Sequence, residues 1–208
     1  MIEILCSRIG KLRNYQDAPS FIWCHDALRC KRQHAIKKVV LFMAARERDR
    51  EATHQPPGQG KAFWLATDLH IFKATGEDTD QAFALAELVA QPQFAPPPHI
   101  HHREDESYYI LEGEFEFLDN NRTFVAGPGS FVYLPKGQLH MHRNAGNTPA
   151  RAVVFVVPAG VEKFIEEAGE PATDISAPPP PPEMSELERI VSIAQKYGIE
   201  VPPPPPEQ

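Results

Sequence analysis

Three histidines and one glutamate fall at spacings that could close around a single metal ion. In Pro98-His99-Ile100-His101-His102-Arg103-Glu104-Asp105-Glu106 the first two histidines are separated by a single residue. Side chains alternate between the faces of a strand, so His99 and His101 would point the same way, ~7 Å apart along the chain. Glu106, arriving from the next strand, would bring a carboxylate to the same inward face. Farther on, Gly129-Ser130-Phe131-Val132-Tyr133-Leu134-Pro135-Lys136-Gly137-Gln138-Leu139-His140 carries a turn on Pro135 and Gly137. That turn leads into a strand whose first inward residue is His140, a fourth candidate ligand. Imidazole and carboxylate without cysteine suit Fe, Mn, Ni, Co or Zn and disfavour a structural zinc site. The expected cofactor is therefore one divalent transition metal ion.

The neighbours of these residues have plainer readings. His102 should face away from His101, into solvent. His142 shares a face with His140 and could support a ligand or touch a substrate. Glu104 and Asp105 read as an exposed acidic turn, and Arg103 as a solvated loop arginine, with contact to an anionic substrate as the alternative. Tyr108, Phe115, Phe117, Phe131 and Tyr133 read mainly as core, with one or two lining a pocket. Pro96, Pro97 and Pro98 should stiffen a rim loop.

The elements that must position the four residues are short strands. Ala62 to Thr67, Leu69 to Ala74, Gln81 to Val89, Glu106 to Leu111, Gly113 to Leu118, Arg122 to Val125, Ser130 to Leu134, His140 to Asn144 and Arg151 to Val157 are rich in Phe, Tyr, Val and Leu. Glu114-Phe115-Glu116-Phe117 alternates as a half-buried strand does. Asp119-Asn120-Asn121 supplies a turn, because Asn and Asp tolerate positive φ. Many short strands at this spacing predict an all-β sandwich or barrel. Val161 to Ala168 reads as a short amphipathic helix. Ser185 to Tyr197 reads as a second one, with Ser185 and Glu188 as a capping box and Gly198 as its C-terminal cap. Leu187, Ile190, Val191, Ala194 and Tyr197 line one face of it, which must pack on the barrel or a partner.

Three regions result: an N-terminal extension over 1–60, a barrel over 61–170, and a C-terminal region over 171–208. The last holds a proline-rich linker, the helix 185–197 and a polyproline tail at Pro202 to Pro206. The chain has 208 residues, 42% hydrophobic and 24% charged, and its 22 prolines cluster in runs. The net charge of −7 hides a basic head, since residues 1–42 hold eight Lys or Arg against three acids. Nothing in this balance calls for nucleic acid, whose binding needs a basic face.

Cys6, Cys24 and Cys30 all lie in that head, an odd number that makes no disulfide framework. Cys24, Cys30 and His34 fit no zinc spacing, so the thiols read as free in a reducing cytoplasm. Residues 1–42 differ so much from the rest that Met43 is expected as the natural start, with the residues before it an over-extended reading of the gene or a poorly ordered extension. Val39 to Ala45 is far shorter than the ~20 residues a membrane span needs, so no membrane partner is expected.

Both stretches fit known patterns without a mismatch. HxH(x)4E(x)6G runs from His99 to Gly113, and G(x)5PxG(x)2H(x)3N from Gly129 to Asn144, with 15 residues between them. These are the two motifs of the cupin superfamily, and over residues 61–170 the chain resembles a single-domain bacterial cupin. Its Pro-Pro-Pro-His-Ile-His-His-Arg-Glu-Asp-Glu stretch, with Val157-Pro158-Ala159-Gly160 and a phenylalanine-bearing helix, is most similar to the quercetin 2,3-dioxygenase-like branch. One departure is Gln93, where the family often has glycine; it concerns the entry loop, not the ligands.

The resemblance implies a double-stranded β-helix, or jelly-roll barrel, with short C-terminal helices. It implies His99, His101, Glu106 and His140 as ligands of one metal, a small-molecule substrate and a homodimer. It further implies a dioxygenase in which Glu106 also takes the proton of a substrate hydroxyl. The same site would equally serve a non-oxidative enzyme, such as a sugar isomerase or decarboxylase, or a non-catalytic module that binds a small molecule.

Overall fold

The computed structural model describes residues 52–92 and 94–203. Met43, the three cysteines, His34, Gln93 and most of the polyproline tail lie outside the described residues. Among the described residues there are twelve strands: β1 Lys61–Leu65, β2 Asp68–Ala74, β3 Ala84–Ala90, β4 His99–His101, β5 Asp105–Glu112, β6 Phe115–Asp119, β7 Arg122–Ala126, β8 Phe131–Leu134, β9 Leu139–Asn144, β10 Ala150–Val157, β11 Glu170–Pro171 and β12 Ile199–Glu200. The helices are α1 Gly76–Thr79, α2 Val161–Ala168 and α3 Met184–Lys196.

All pairings between these strands are antiparallel and form two sheets. One has the order β11-β1-β2-β3-β10-β5-β8 and the other β12-β4-β9-β6-β7. This is the all-β jelly-roll arrangement, the double-stranded β-helix expected from the strand pattern and the resemblance. The crossing from β4 to β5 passes from the smaller sheet to the larger, so the two halves of the first motif sit on facing layers.

Period-two burial builds the core. On β3 Ala84, Ala86, Leu88 and Ala90 are buried while their neighbours are not; on β10 Ala150, Ala152, Val154 and Val156 are. Phe115 and Phe117 of β6 are fully enclosed, and burying such a side chain contributes about 1.5–3 kcal/mol. Small alanines on the inward face of β3 leave space that bulkier residues would fill, and Ala84 and Ala86 line the resulting cavity. Gly113, the last residue of the first motif, turns the chain at φ 73°; a Cβ there would stand 2.7 Å from the Cβ of Ala150. Asn120 adopts φ 51° in the β6–β7 turn, as its residue type predicts.

The sequence missed three features. Gln81 to Phe83 is not strand, because the turn of α1 and left-handed Asp80 and Gln81 precede β3. Helix α3 begins at Met184 with Glu183 at its cap and no side-chain capping bond, so the Ser185–Glu188 capping box does not form. The region after residue 170 is also tied to both sheets. β11 pairs with β1, and β12 pairs with β4, the strand that carries His99 and His101. Those two-residue strands had no periodicity to announce them.

Candidate metal centre

β4 and β9 run side by side with His99 directly opposite His140. Alternation puts His101 on the same face as His99. Ring centroids are 5.1 Å apart for His99–His101, 4.7 Å for His99–His140 and 5.3 Å for His101–His140. Glu106, near the start of β5, reaches across from the other sheet, its Oε2 3.3 Å from His140 Nε2. The structure thus brings together all four residues singled out by spacing, with one candidate ligand atom from each lying within 4.8 Å of the others.

Backbone carbonyls aim the rings. His99 Nδ1 lies 2.9 Å from Pro97 O, and His140 Nδ1 lies 3.0 Å from Gln138 O. An Nδ1–H donated to a carbonyl leaves the Nε2 lone pair free, and such outer contacts fix the tautomer of a metal-binding histidine. His101 Nδ1 faces Glu104 Oε2 at 3.8 Å. Glu104, expected in an exposed turn, is buried: the chain folds it back beneath Gly160, where a Cβ would stand 2.8 Å from Glu104 Oε1. Asp105 is half-buried and accepts the Lys136 N–H at 3.0 Å.

The electrostatics suit a cation. Burial, with His101 and His140 beside it, lowers His99 to a pKa of about 3, so its imidazole is neutral near pH 7. Burial works against the Glu106 carboxylate, yet contact with His140 and the neighbouring imidazoles holds it below the usual carboxylate range. Burial works against His140 as well, and Glu106 outweighs it, raising the imidazole. Glu106 Oε2 and His140 Nε2 are buried without a hydrogen-bond partner among the described residues. Leaving such atoms unmet is costly, and a divalent ion fits the donor set of three imidazoles and a carboxylate.

His99, His101 and Glu106 open on a cavity of about 680 Å³, with His140 buried behind them. Its lining is largely apolar, including Leu65, Phe72, Val154 and Ile165, and the C-terminal segment contributes Ile190 and Val201. Phe94, Pro96 and Pro97 form part of its rim.

The other candidates separate clearly. His102 is exposed and pairs with Glu200 at 2.8 Å. Arg103 packs against Gly198 and donates to Lys196 O at 3.4 Å, so it fastens the C-terminal segment instead of facing the cavity. Tyr108 and His142 line the cavity, whereas Phe131 and Tyr133 are exposed. Burial first, and Glu106 second, pushes the Tyr108 hydroxyl well above its ordinary pKa. Asp68 and His70, also in the lining, were not recognised in the sequence. Their signal was the alternation Asp68-Leu69-His70-Ile71-Phe72, which places two polar residues on an inward face.

Residues 86–157 match the family model described as the cupin domain. Quercetin 2,3-dioxygenase of Bacillus subtilis (strain 168) is 25% identical over 114 residues, covering 55% of this chain and 34% of that protein. Germin-like protein subfamily 2 member 2 of Arabidopsis thaliana is 34% identical over 89 residues, 40% of each chain. The matched stretches therefore span between a third and two fifths of these relatives. Among solved structures, KdgF from Halomonas sp. superposes with a TM-score of 0.48 at 14% identity, over 54% of this chain and 99% of that one. No helix of the described residues is long and apolar enough to cross a membrane.

Proposed function

We propose that this chain, which carries a cupin domain, is a metal-dependent dioxygenase acting with molecular oxygen on a small hydroxylated aromatic or enol compound. The observation that carries this reading is the placement of a His3Glu cluster against a largely apolar cavity of about 680 Å³. A sugar would need many hydrogen-bonding partners along that wall, whereas an aromatic ring needs apolar contact and a few polar anchors. Similarity to the Bacillus subtilis quercetin 2,3-dioxygenase supports the same choice.

In this reading His99, His101, Glu106 and His140 hold one divalent transition metal ion. Bound there, the ion supplies a Lewis acid that lowers the pKa of a substrate hydroxyl. Glu106 is the catalytic residue: its carboxylate, in the cavity lining, would take the proton released by that hydroxyl. The apolar walls exclude water and orient the ring. The reading includes a homodimer in the cytoplasm. Tyr109, Phe131 and Tyr133, exposed together on the outer face of β5 and β8, support the pairing, which light scattering of the purified protein tests.

The deciding experiment combines metal analysis by mass spectrometry with oxygen uptake on a flavonol panel. About one transition metal per chain, lost in the His99→Ala, His101→Ala double variant, is expected, with oxygen consumed on at least one flavonol. Bound metal with no uptake on any flavonol, catechol or enol would overturn the dioxygenase reading in favour of isomerase, decarboxylase or binding roles. No metal after reconstitution would overturn the centre itself.

A further inference from the structure

The walls of the cavity carry charge of one sign. Four carboxylates line it, those of Asp68, Glu106, Glu162 and Glu188, and no lysine or arginine does. Their own partners bring neither of those cations. Asp68 accepts the Gln91 N–H at 3.2 Å and has His142 Nε2 3.3 Å away. Glu162 accepts the N–H of Gly76 at 3.0 Å and that of Gly160 at 2.7 Å. Glu106 has His140 Nε2 at 3.3 Å. Glu188 is exposed and has no ion-pair partner among the described residues. Arg103, close in sequence to the candidate ligands, packs on Gly198 instead. The carboxylates are not one cluster: they come from β2, β5, α2 and α3, so four separate elements present negative charge to one space.

Glu188 stands at the opening. Along α3, Met184, Glu188 and Gln195 line the cavity and are exposed, whereas Ile190 and Val191 are half-buried and Ala194 is buried. A residue that lines a cavity and also meets solvent lies at its mouth, and Glu188 is the one charged residue that α3 contributes to the lining. An anion entering here passes a carboxylate in water. It then leaves water for a largely apolar space, where like charges repel more strongly and no ammonium or guanidinium receives it. A divalent ion held by the candidate ligands would offset two of the four negative charges and leave two. A neutral molecule meets neither cost.

We infer that the cavity selects by charge: it takes neutral ligands and turns anions away, with Glu188 at its mouth as a specificity-determining residue. The inference rests on the reading of the cavity as a substrate site and sharpens it to uncharged phenols and enols, with carboxylates and phosphate esters disfavoured. It does not depend on oxygen chemistry.

A pair of fluorescent probes that differ in charge and hardly in size tests this. They are 8-anilinonaphthalene-1-sulfonate, an anion, and the corresponding sulfonamide, which is neutral. Each is titrated into the zinc-loaded full chain at pH 8, above the ordinary range of histidine. Wild type should bind the sulfonamide about tenfold more tightly, the effect of one uncompensated charge ~12 Å away at an effective dielectric constant of ~20. Added sodium chloride should narrow the gap, because the mouth is open to counterions. Glu188→Lys should strengthen sulfonate binding by about fivefold, less than a buried reversal would give, and leave the sulfonamide unchanged.

Glu188 is exposed and lysine is a good helix former, so the variant should fold; the wild-type comparison and its salt dependence decide even if it does not. Equal or tighter binding of the sulfonate by wild type, a preference that neither salt nor Glu188→Lys moves, or no binding of the sulfonamide would each overturn the inference. Absence of oxygen uptake on the phenol panel would overturn the dioxygenase reading and leave this preference standing.

Discussion

The wall of the cavity that carries the four candidate ligands and the remainder of its lining come from different parts of the chain and are held by different forces. His99, His101, Glu106 and His140 sit on β4, β5 and β9, inside the segment matched to the cupin domain. All four are polar, His101, Glu106 and His140 are buried, and several of these buried atoms have no hydrogen-bond partner among the described residues. Much of the remaining lining lies outside that segment, on β2 and on residues 184–201, and is fixed by apolar contact and strand pairing. The first region is costly to fold and gains from a ligand; the second gives the cavity its shape. Chemistry and selectivity are therefore separable by mutation.

The widest separation should appear in the pH dependence of the metal-free protein. His99 has a pKa of about 3 in the folded state, against 6.5 for an ordinary histidine. Between these limits the unfolded chain binds a proton that the folded chain does not. Stability therefore falls as pH falls through this window, by about 1.4 kcal/mol per pH unit for one group. His70, lowered chiefly by burial, adds the same sign. His140 is raised, so its contribution is full below pH 6.5 and is lost only as pH rises through its folded pKa. Glu106 is lowered, so its contribution is present above about 4.5 and is lost on acidification below it. Urea melts between pH 6.5 and 4.5 should show the loss, and His99→Gln should flatten it. Ile190→Ala, in the C-terminal segment, should lower the whole curve without changing its slope. An equal slope in His99→Gln and wild type would break the distinction.

The same division explains what the sequence disclosed. The clustering of the four candidate residues was legible because a strand's period of two and a tight turn are local properties: His99, Ile100 and His101 need no distant information to share a face. The nine long strands and α2 were legible for the same reason. β12 was not, since two residues carry no period and Ile199–Glu200 becomes a strand only by meeting β4. Glu104 was misread because its neighbours are charged, whereas its burial depends on Gly160, which lies far along the chain. Asp68 and His70 share a face of β2 by local alternation, but that this face looks into the cavity depends on strands far along the chain.

A smaller effect isolates the C-terminal segment. Gly198 holds φ 77°, and a Cβ there would meet Arg103 Nε at 2.8 Å. Its carbonyl accepts the His102 N–H at 2.9 Å. Gly198→Val should cost about 1–3 kcal/mol through the left-handed backbone and the displaced arginine, and should loosen β12 from β4. Metal content should stay at that of wild type, because β4 keeps its other neighbour, β9. Thermal melts, metal analysis and limited proteolysis of the proline-rich stretch between α2 and α3 measure the three quantities. Loss of metal in step with stability would mean that the two regions are one unit.

The smallest effect lies within the metal wall. Glu104 Oε2 and His101 Nδ1 are both buried and unpaired, 3.8 Å apart. That separation is too long for a hydrogen bond, but it places a carboxylate behind the ring nitrogen that must carry the proton when Nε2 faces the other ligands. Outer carboxylates of this kind raise the basicity of a metal-binding imidazole, and losing one costs about 10–100-fold in metal affinity. The long contact puts Glu104→Gln at the lower end, about tenfold, measured by competition with a chelator. Because glutamine keeps the shape, the melting temperature of the metal-free protein should move little. An unchanged affinity would leave Glu104 with a packing role beneath Gly160, and the orientation of His101 would then rest on its strand alone.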